Sequence, residues 1–122
     1  MQALIVDDSK TMCEMVSVKL KEMGFETVVA FDGNQAIEKV ESQKFDIIIT
    51  DINMPNMDGI ELIRYLREEG GCKFTPILVL TTEGGDAAKQ KGKEAGATGW
   101  IVKPFKPPVL EAAVTKVCGF RK

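Results

Sequence analysis

The sequence contains no histidine. That absence excludes Ser-His-Asp and Cys-His catalysis and every histidine-bearing metal site. It also means that the chain cannot carry a phosphoryl group on a histidine of its own. Cysteine is scarce: Cys13, Cys72 and Cys118 are odd in number, widely spaced, and form no CxxC pair. The pattern fits neither a disulfide framework nor a zinc site and predicts a reduced, cytoplasmic protein. Long apolar runs are missing, so no membrane span is expected. The first eight residues turn acidic too soon for a signal peptide. Neither charge sign dominates, since 16 Lys and Arg against 18 Asp and Glu leave a net charge of −2. A nucleic-acid binder should be clearly basic, so DNA is not an expected partner.

What remains is a length of 122 residues, one domain's worth, expected to span 1–122. A chain of this size buries roughly two thirds of its unfolded surface. Apolar runs at 3–6, 27–30, 46–50, 76–80 and 99–102 alternate with helical patterns at 9–23, 34–42, 59–69, 86–95 and from Pro107 onward. Unbroken apolar runs predict strands buried on both faces, as in parallel sheets. In the first helix Met12, Val16, Leu20 and Met23 form the expected inner stripe, and Gly24 stops it. Ile63 and Leu66 point inward from the third. The 86–95 segment offers only Ala88, Gly92 and Ala95. Gly92 costs a helix about 0.5–1 kcal/mol relative to alanine, which predicts loose packing there. Pro107-Pro108 opens the last helix, with Val109, Ala113 and Val117 at helical spacing and Leu110 and Val114 beside them. The pattern is α/β: a (βα)5, doubly wound, parallel five-stranded sheet. The chain ends soon after its last helix, so effector activity is expected on another polypeptide.

Chemistry in open α/β sheets sits at the carboxyl ends of the strands. Those ends read Asp7-Asp8, Asp51, Thr81-Thr82 and Lys103. Taken singly, Asp7-Asp8-Ser9 is a helix cap, Asp51 a turn residue, Thr81 a strand end and Lys103-Pro104 an exit turn. Taken together, three carboxylates repel one another and must bind a proton or share a cation. The lysine supplies one charge and a divalent metal would supply two. Hard oxygen ligands, few in number at an open mouth, favour Mg²⁺, with Mn²⁺ as a substitute. No GxGxxG and no GxxxxGK[ST] occurs, which argues against a nucleotide or flavin site. An acidic, metal-loaded mouth with a central aspartate and a nearby lysine suits phosphoryl transfer onto Asp51.

The stretches Ile5-Val6-Asp7-Asp8-Ser9, residues 46–59 around Asp51, Leu80-Thr81-Thr82 and Lys103-Pro104-Phe105 resemble the receiver domain of two-component response regulators, over essentially the full length. The resemblance implies a flavodoxin-like strand order, 2-1-3-4-5. It implies Asp51 as the phosphoacceptor, with Asp7 and Asp8 as the acidic pair, one a Mg²⁺ ligand and one acting through water. Asn53 would lend its backbone carbonyl to the metal. Thr81 would be the hydroxyl that moves onto the phosphate, vacating space into which Trp100 turns while the 84–95 segment shifts. Lys103 would bond a phosphoryl oxygen, and its bond to Pro104 would be cis. Trp100 occupies the switch aromatic position, where the family often has tyrosine or phenylalanine, so tryptophan is a departure.

Asn53 paired with Glu83, positions that modulate dephosphorylation, and the run 98–105 resemble the chemotaxis branch, the CheY-like receivers. The implied partners are a sensor histidine kinase, an output protein such as a flagellar motor switch component, and a phosphatase. The implied role is not that of an enzyme. It is a phosphoacceptor that assists its own phosphorylation and dephosphorylation. A phosphorelay intermediate keeps the chemistry and changes the output. An aspartate-nucleophile phosphatase is disfavoured, because Asp51-Ile52-Asn53 lacks the second aspartate of DxD. A pseudo-receiver is disfavoured by the intact set of five pocket residues. Charge is split along the chain: residues 1–69 carry 7 basic and 14 acidic residues, net −7, and residues 70–122 carry 9 and 4, net +5. Lys89, Lys91, Lys93 and Lys106 would make an output face attractive to an acidic partner segment.

Overall fold

Three helix starts are set by short side chains that accept from the backbone. Ser9 Oγ accepts from Met12 N–H at 3.2 Å, Asp32 Oδ1 from Gln35 N–H at 2.8 Å, and Asp58 Oδ1 from Glu61 N–H at 2.9 Å. These caps open α1 (Lys10–Glu22), α2 (Gly33–Ser42) and α3 (Gly59–Glu68) in the computed structural model, which describes residues 1–119. The last three residues of the expected 1–122 domain lie outside the described residues. Helix α4 spans Asp86–Ala95, and α5 spans Pro107–Cys118 with proline in its first turn. The strands are β1 (Gln2–Val6), β2 (Glu26–Ala30), β3 (Ile47–Thr50), β4 (Ile77–Thr81) and β5 (Gly99–Val102). No predicted end differs by more than one residue. After α1 the chain reverses through Gly24 at φ 96°, a conformation that favours glycine.

All strand pairs are parallel, in the order β2-β1-β3-β4-β5, the flavodoxin-like arrangement expected. The sheet sorts its side chains by parity. Leu4, Val6, Ile48, Ile77 and Val79 face α2, α3 and α4. Ala3, Ile5, Ile49, Leu78, Leu80 and Ile101 face α1 and α5. Both faces are therefore covered, which explains the unbroken apolar runs of β1, β3 and β4. The edge strands are less enclosed: Val28 and Val29 are half-buried and Val102 is exposed.

Two expected stripes are rotated. The inner face of α1 is Cys13, Val16 and Leu20, with Met12 and Met23 only half-buried at its flank. The inner face of α5 is Leu110 and Val114, and Val109 is 49% exposed. In each helix two neighbouring rows share the same spacing, and only contact with the sheet decides between them.

Arg67, on α3, ties three segments together. Its Nε and Nη2 donate to the Gly96 carbonyl at 3.0 and 2.7 Å. Its Nη1 donates to the carbonyls of Cys72 at 2.7 Å and Thr75 at 2.5 Å. Burial pushes the guanidinium below its ordinary pKa, yet it remains the donor for carbonyls at the end of α4 and the entry to β4. Arg67→Met keeps the aliphatic stem and strands those carbonyls. The expected loss is about 2 kcal/mol, or roughly 6–12 °C in melting temperature. A thermal melt followed by circular dichroism checks it.

Candidate functional site

Strand register brings the site together. Val6 pairs with Thr50, so Asp7 and Asp51 leave the sheet side by side. Thr81 pairs with Val102, which places Lys103 next to it, and Lys103 N–H donates to the Thr81 carbonyl at 2.7 Å. Carboxylate oxygens of Asp7, Asp8 and Asp51 lie within 4.8 Å of one another. Asp7 and Asp51 are buried and Asp8 is exposed.

Each buried carboxylate is fully held. Asp7 Oδ1 accepts from Ser9 N–H at 2.9 Å, and Asp7 Oδ2 from Lys103 Nζ at 2.7 Å. Asp51 Oδ1 accepts from the N–H groups of Ile52 at 2.6 Å and Asn53 at 3.2 Å, and Asp51 Oδ2 from Lys103 Nζ at 3.0 Å. Burial works against the Lys103 ammonium, but its hydrogen bonds and charge pairing with Asp7 and Asp51 prevail and raise its pKa. Lys103 is thus a fixed cation that bridges the two buried aspartates. The Lys103–Pro104 peptide is cis, as the resemblance implied.

One lysine against three carboxylates leaves an excess of negative charge, and Asp8 supplies its oxygen at the solvent side. The donor set is oxygen alone. The neighbouring Cys13 thiol is pushed up to about 11 by burial and by the charge of Asp7, so it stays protonated and offers no thiolate. Hard, anionic, partly open: this set fits a small divalent cation such as Mg²⁺. Asp8→Asn should raise metal-free stability by relieving repulsion, and should weaken Mg²⁺ binding about 10-fold or more. Melts with and without MgCl₂ check both directions. Unchanged stabilisation by Mg²⁺ would place the ion elsewhere.

The remaining expected residues sit around this core. Thr81 is fully buried, and its hydroxyl accepts from Glu83 N–H at 3.3 Å. The Glu83 carbonyl accepts from Trp100 Nε1 at 2.9 Å. Trp100 is half-buried on the α4 side of the sheet, packed with the cluster that contains Ala95. Asn53 is exposed in the β3–α3 loop, beside Asp51. Lys89, Lys91, Lys93 and Lys106 are all exposed, as expected for a basic face.

Sequence reasoning missed two supports. One is Cys13, whose Sγ donates to the Asp7 carbonyl at 3.3 Å. The other is Gly59. A Cβ there would run into the Asp51 carbonyl oxygen and stand 2.7 Å from Ile52 Cα, while Gly59 N–H donates to the Ile52 carbonyl at 2.9 Å. The Asp58-Gly59 pair, a helix cap followed by glycine a few residues past Asp51, was the available signal.

A doubly wound sheet whose carboxyl ends carry an acidic triad and a bridging lysine is a receiver-type module. Residues 3–115 match the response regulator receiver domain, and the chain belongs to that family. It is 40% identical over 121 residues to the chemotaxis protein CheY1 of Helicobacter pylori, covering 98% of each. It is 38% identical over 118 residues to the chemotaxis protein CheY of Pseudomonas aeruginosa, covering 96% of this chain and 95% of that one. Among solved structures it superposes on the chemotaxis response regulator CheY4 of Vibrio cholerae with TM-score 0.90 and 46% identity, covering 95% and 97% of the two chains. Among the described residues no helix is long and apolar enough to cross a membrane.

Proposed function

We propose that this protein is a phosphorylation-activated chemotaxis response regulator, a cytoplasmic receiver that signals by changing what it binds. The observation that carries this is the Asp51 carboxylate. It is buried, gripped on Oδ1 by two backbone N–H groups and on Oδ2 by Lys103, with two further aspartates beside it. In transfer, a carboxylate oxygen of Asp51 attacks the phosphorus of a kinase phosphohistidine. The N–P bond breaks, an O–P bond forms and the imidazole leaves. Lys103 stabilises charge on the transferred oxygens, and the Asp7, Asp8 and Asp51 carboxylates with the Asn53 carbonyl are the groups to hold Mg²⁺. That ion would neutralise phosphoryl charge. The product adds roughly −1.5 to −2 charge at the strand mouth. Thr81, a buried hydroxyl at the end of β4, is the group that answers it in this reading. Asn53 and Glu83 are exposed, and in this reading they act on an incoming hydrolytic water or a phosphatase. In this sense the chain assists its own phosphorylation and dephosphorylation.

The absent histidine divides the labour, because the donor has to come from a sensor histidine kinase. Output falls to a partner such as a flagellar motor switch component. The experiment mixes this chain with a radiolabelled, phosphorylated chemotaxis kinase in Mg²⁺ or EDTA. Label should move to this chain within seconds in Mg²⁺ and stay on the kinase in EDTA. No transfer in Mg²⁺ would overturn the reading. Binding assays with beryllofluoride, a phosphoryl mimic, then separate outputs. A gained motor component supports chemotaxis, and a gained histidine phosphotransfer protein moves the role to a relay.

A further inference from the structure

We infer that Gly92 is the seat of Trp100, and that the indole and α4 move as one body when the receiver switches. The second half rests on the reading of Asp51 as phosphoacceptor, and the first half does not. Trp100 lies on β5 level with Val79, on the face covered by α4. The outer ring of its indole rests on Gly92. A Cβ at position 92 would overlap Trp100 Cζ3 and stand 3.0 Å from Cε3 and 3.6 Å from Cη2. The space taken by this ring therefore exists only because residue 92 has no side chain. A glycine in mid-helix is otherwise unfavourable by about 0.5–1 kcal/mol against alanine. Its presence is accounted for by the ring, and the small-residue stripe of α4 is filled at this point rather than loosely packed.

The same ring is held at a second point. Trp100 Nε1 donates to the Glu83 carbonyl at 2.9 Å, and Glu83 N–H donates to Thr81 Oγ1 at 3.3 Å. Residue 83 is thus a joint between the buried hydroxyl and the indole. A Thr81 hydroxyl drawn to a phosphoryl group withdraws the acceptor from Glu83 N–H. Residue 83 then shifts and carries the indole through its carbonyl, in the next peptide along. The indole carries α4 because its outer ring is keyed to Gly92. A phenylalanine ring at position 100 has neither the N–H nor the outer ring atoms, so it would report to α4 far more weakly. A free swing of Trp100 past a stationary helix would break both contacts, and the keyed ring makes that the costlier route.

The test is a double-mutant cycle on the full chain. Gly92→Ala should lower the melting temperature in the parent and raise it in a Trp100→Phe background, where alanine's helix preference is unopposed. Failure of the single variant to fold while the double variant folds is the same result in its extreme form. The same sign in both backgrounds, or a double variant that does not fold, overturns the seat. This arm needs no phosphorylation, so it stands or falls apart from the Asp51 reading. The second arm uses the sole tryptophan as reporter. In Gly92→Ala its emission should be red-shifted at rest, and its response to Mg²⁺ with beryllofluoride should fall below half of the parent's. In Trp100→Phe the mimic's effect on hydrogen exchange of α4 amides should fall likewise. An unchanged response in both variants overturns the coupled motion. A parent that does not respond at all counts against Asp51, and the coupled motion then falls with it.

Discussion

Asp51→Asn stops accepting a phosphoryl group, with acceptance falling about 10³-fold or more, because removing a nucleophile that acts with its neighbours can cost up to about 10⁶. The fold survives the change. Asparagine is nearly the same size, and its carbonyl oxygen can still accept from Ile52 N–H and Asn53 N–H, as Asp51 Oδ1 does. Lys103 keeps its 2.7 Å contact with Asp7. What is lost is the anionic oxygen that attacks phosphorus and one of the three charges that attract a divalent cation. Label transfer from a phosphorylated kinase, run with and without Mg²⁺, reads the loss of acceptance, and circular dichroism checks that the fold survives. Label still entering the variant with unaltered Mg²⁺ dependence would move the acceptor to another residue.

The second large effect is one of stability. Gly59→Ala places a methyl group against the Asp51 carbonyl and Ile52 Cα, at separations no side chain can tolerate. These neighbours are backbone, so rotating a side chain gives no relief. Either α3 slides or the β3–α3 loop opens, and the Gly59 N–H to Ile52 carbonyl bond is lost in both cases. The expected cost is about 3 kcal/mol, a drop of roughly 10–20 °C in melting temperature. The displaced carbonyl belongs to Asp51, so surviving folded molecules should also bind Mg²⁺ more weakly. Thermal melts and a Mg²⁺ titration measure both. A melting temperature within about 3 °C of the parent would be under 1 kcal/mol and would show that the loop yields elsewhere.

The fold was legible because its two periodicities are clean. Runs such as Ile47-Ile48-Ile49 admit a strand buried on both sides, and Asp7-Asp8-Ser9 and Pro107-Pro108 mark helix starts. The aspartates and Lys103 were legible for a related reason: in a parallel sheet the residue after each strand lands at one mouth, whatever the packing. Rotation about a helix axis was not legible, and Cys13 displaced Met12 from the inner face of α1 because only the sheet chooses between adjacent rows. Nor was the pairing of Gly92 with Trp100, which are eight residues apart and on different elements. Read along the chain, Gly92 was a weakness in a helix. Beside the indole it is an exact match of an absent side chain to a large ring. Gly59 shows the same limit, since a glycine's reason for being there is the neighbour it makes room for.

The two ends of α4 are built differently. At its C-terminal end, Arg67 grips the Gly96 carbonyl with two nitrogens. At its N-terminal end the cap is Gly85, which offers no side-chain hydrogen bond. The helix therefore has a pinned far end and a near end without a side-chain cap, and the near end is the one beside Glu83. Ten residues span ~15 Å, so a 1 Å push at the near end turns the rod by about 4° around Arg67. A change of charge at the strand mouth that pushed on Glu83 would thereby be read out as tilt, and the exposed lysines 89, 91 and 93 would ride on the rod.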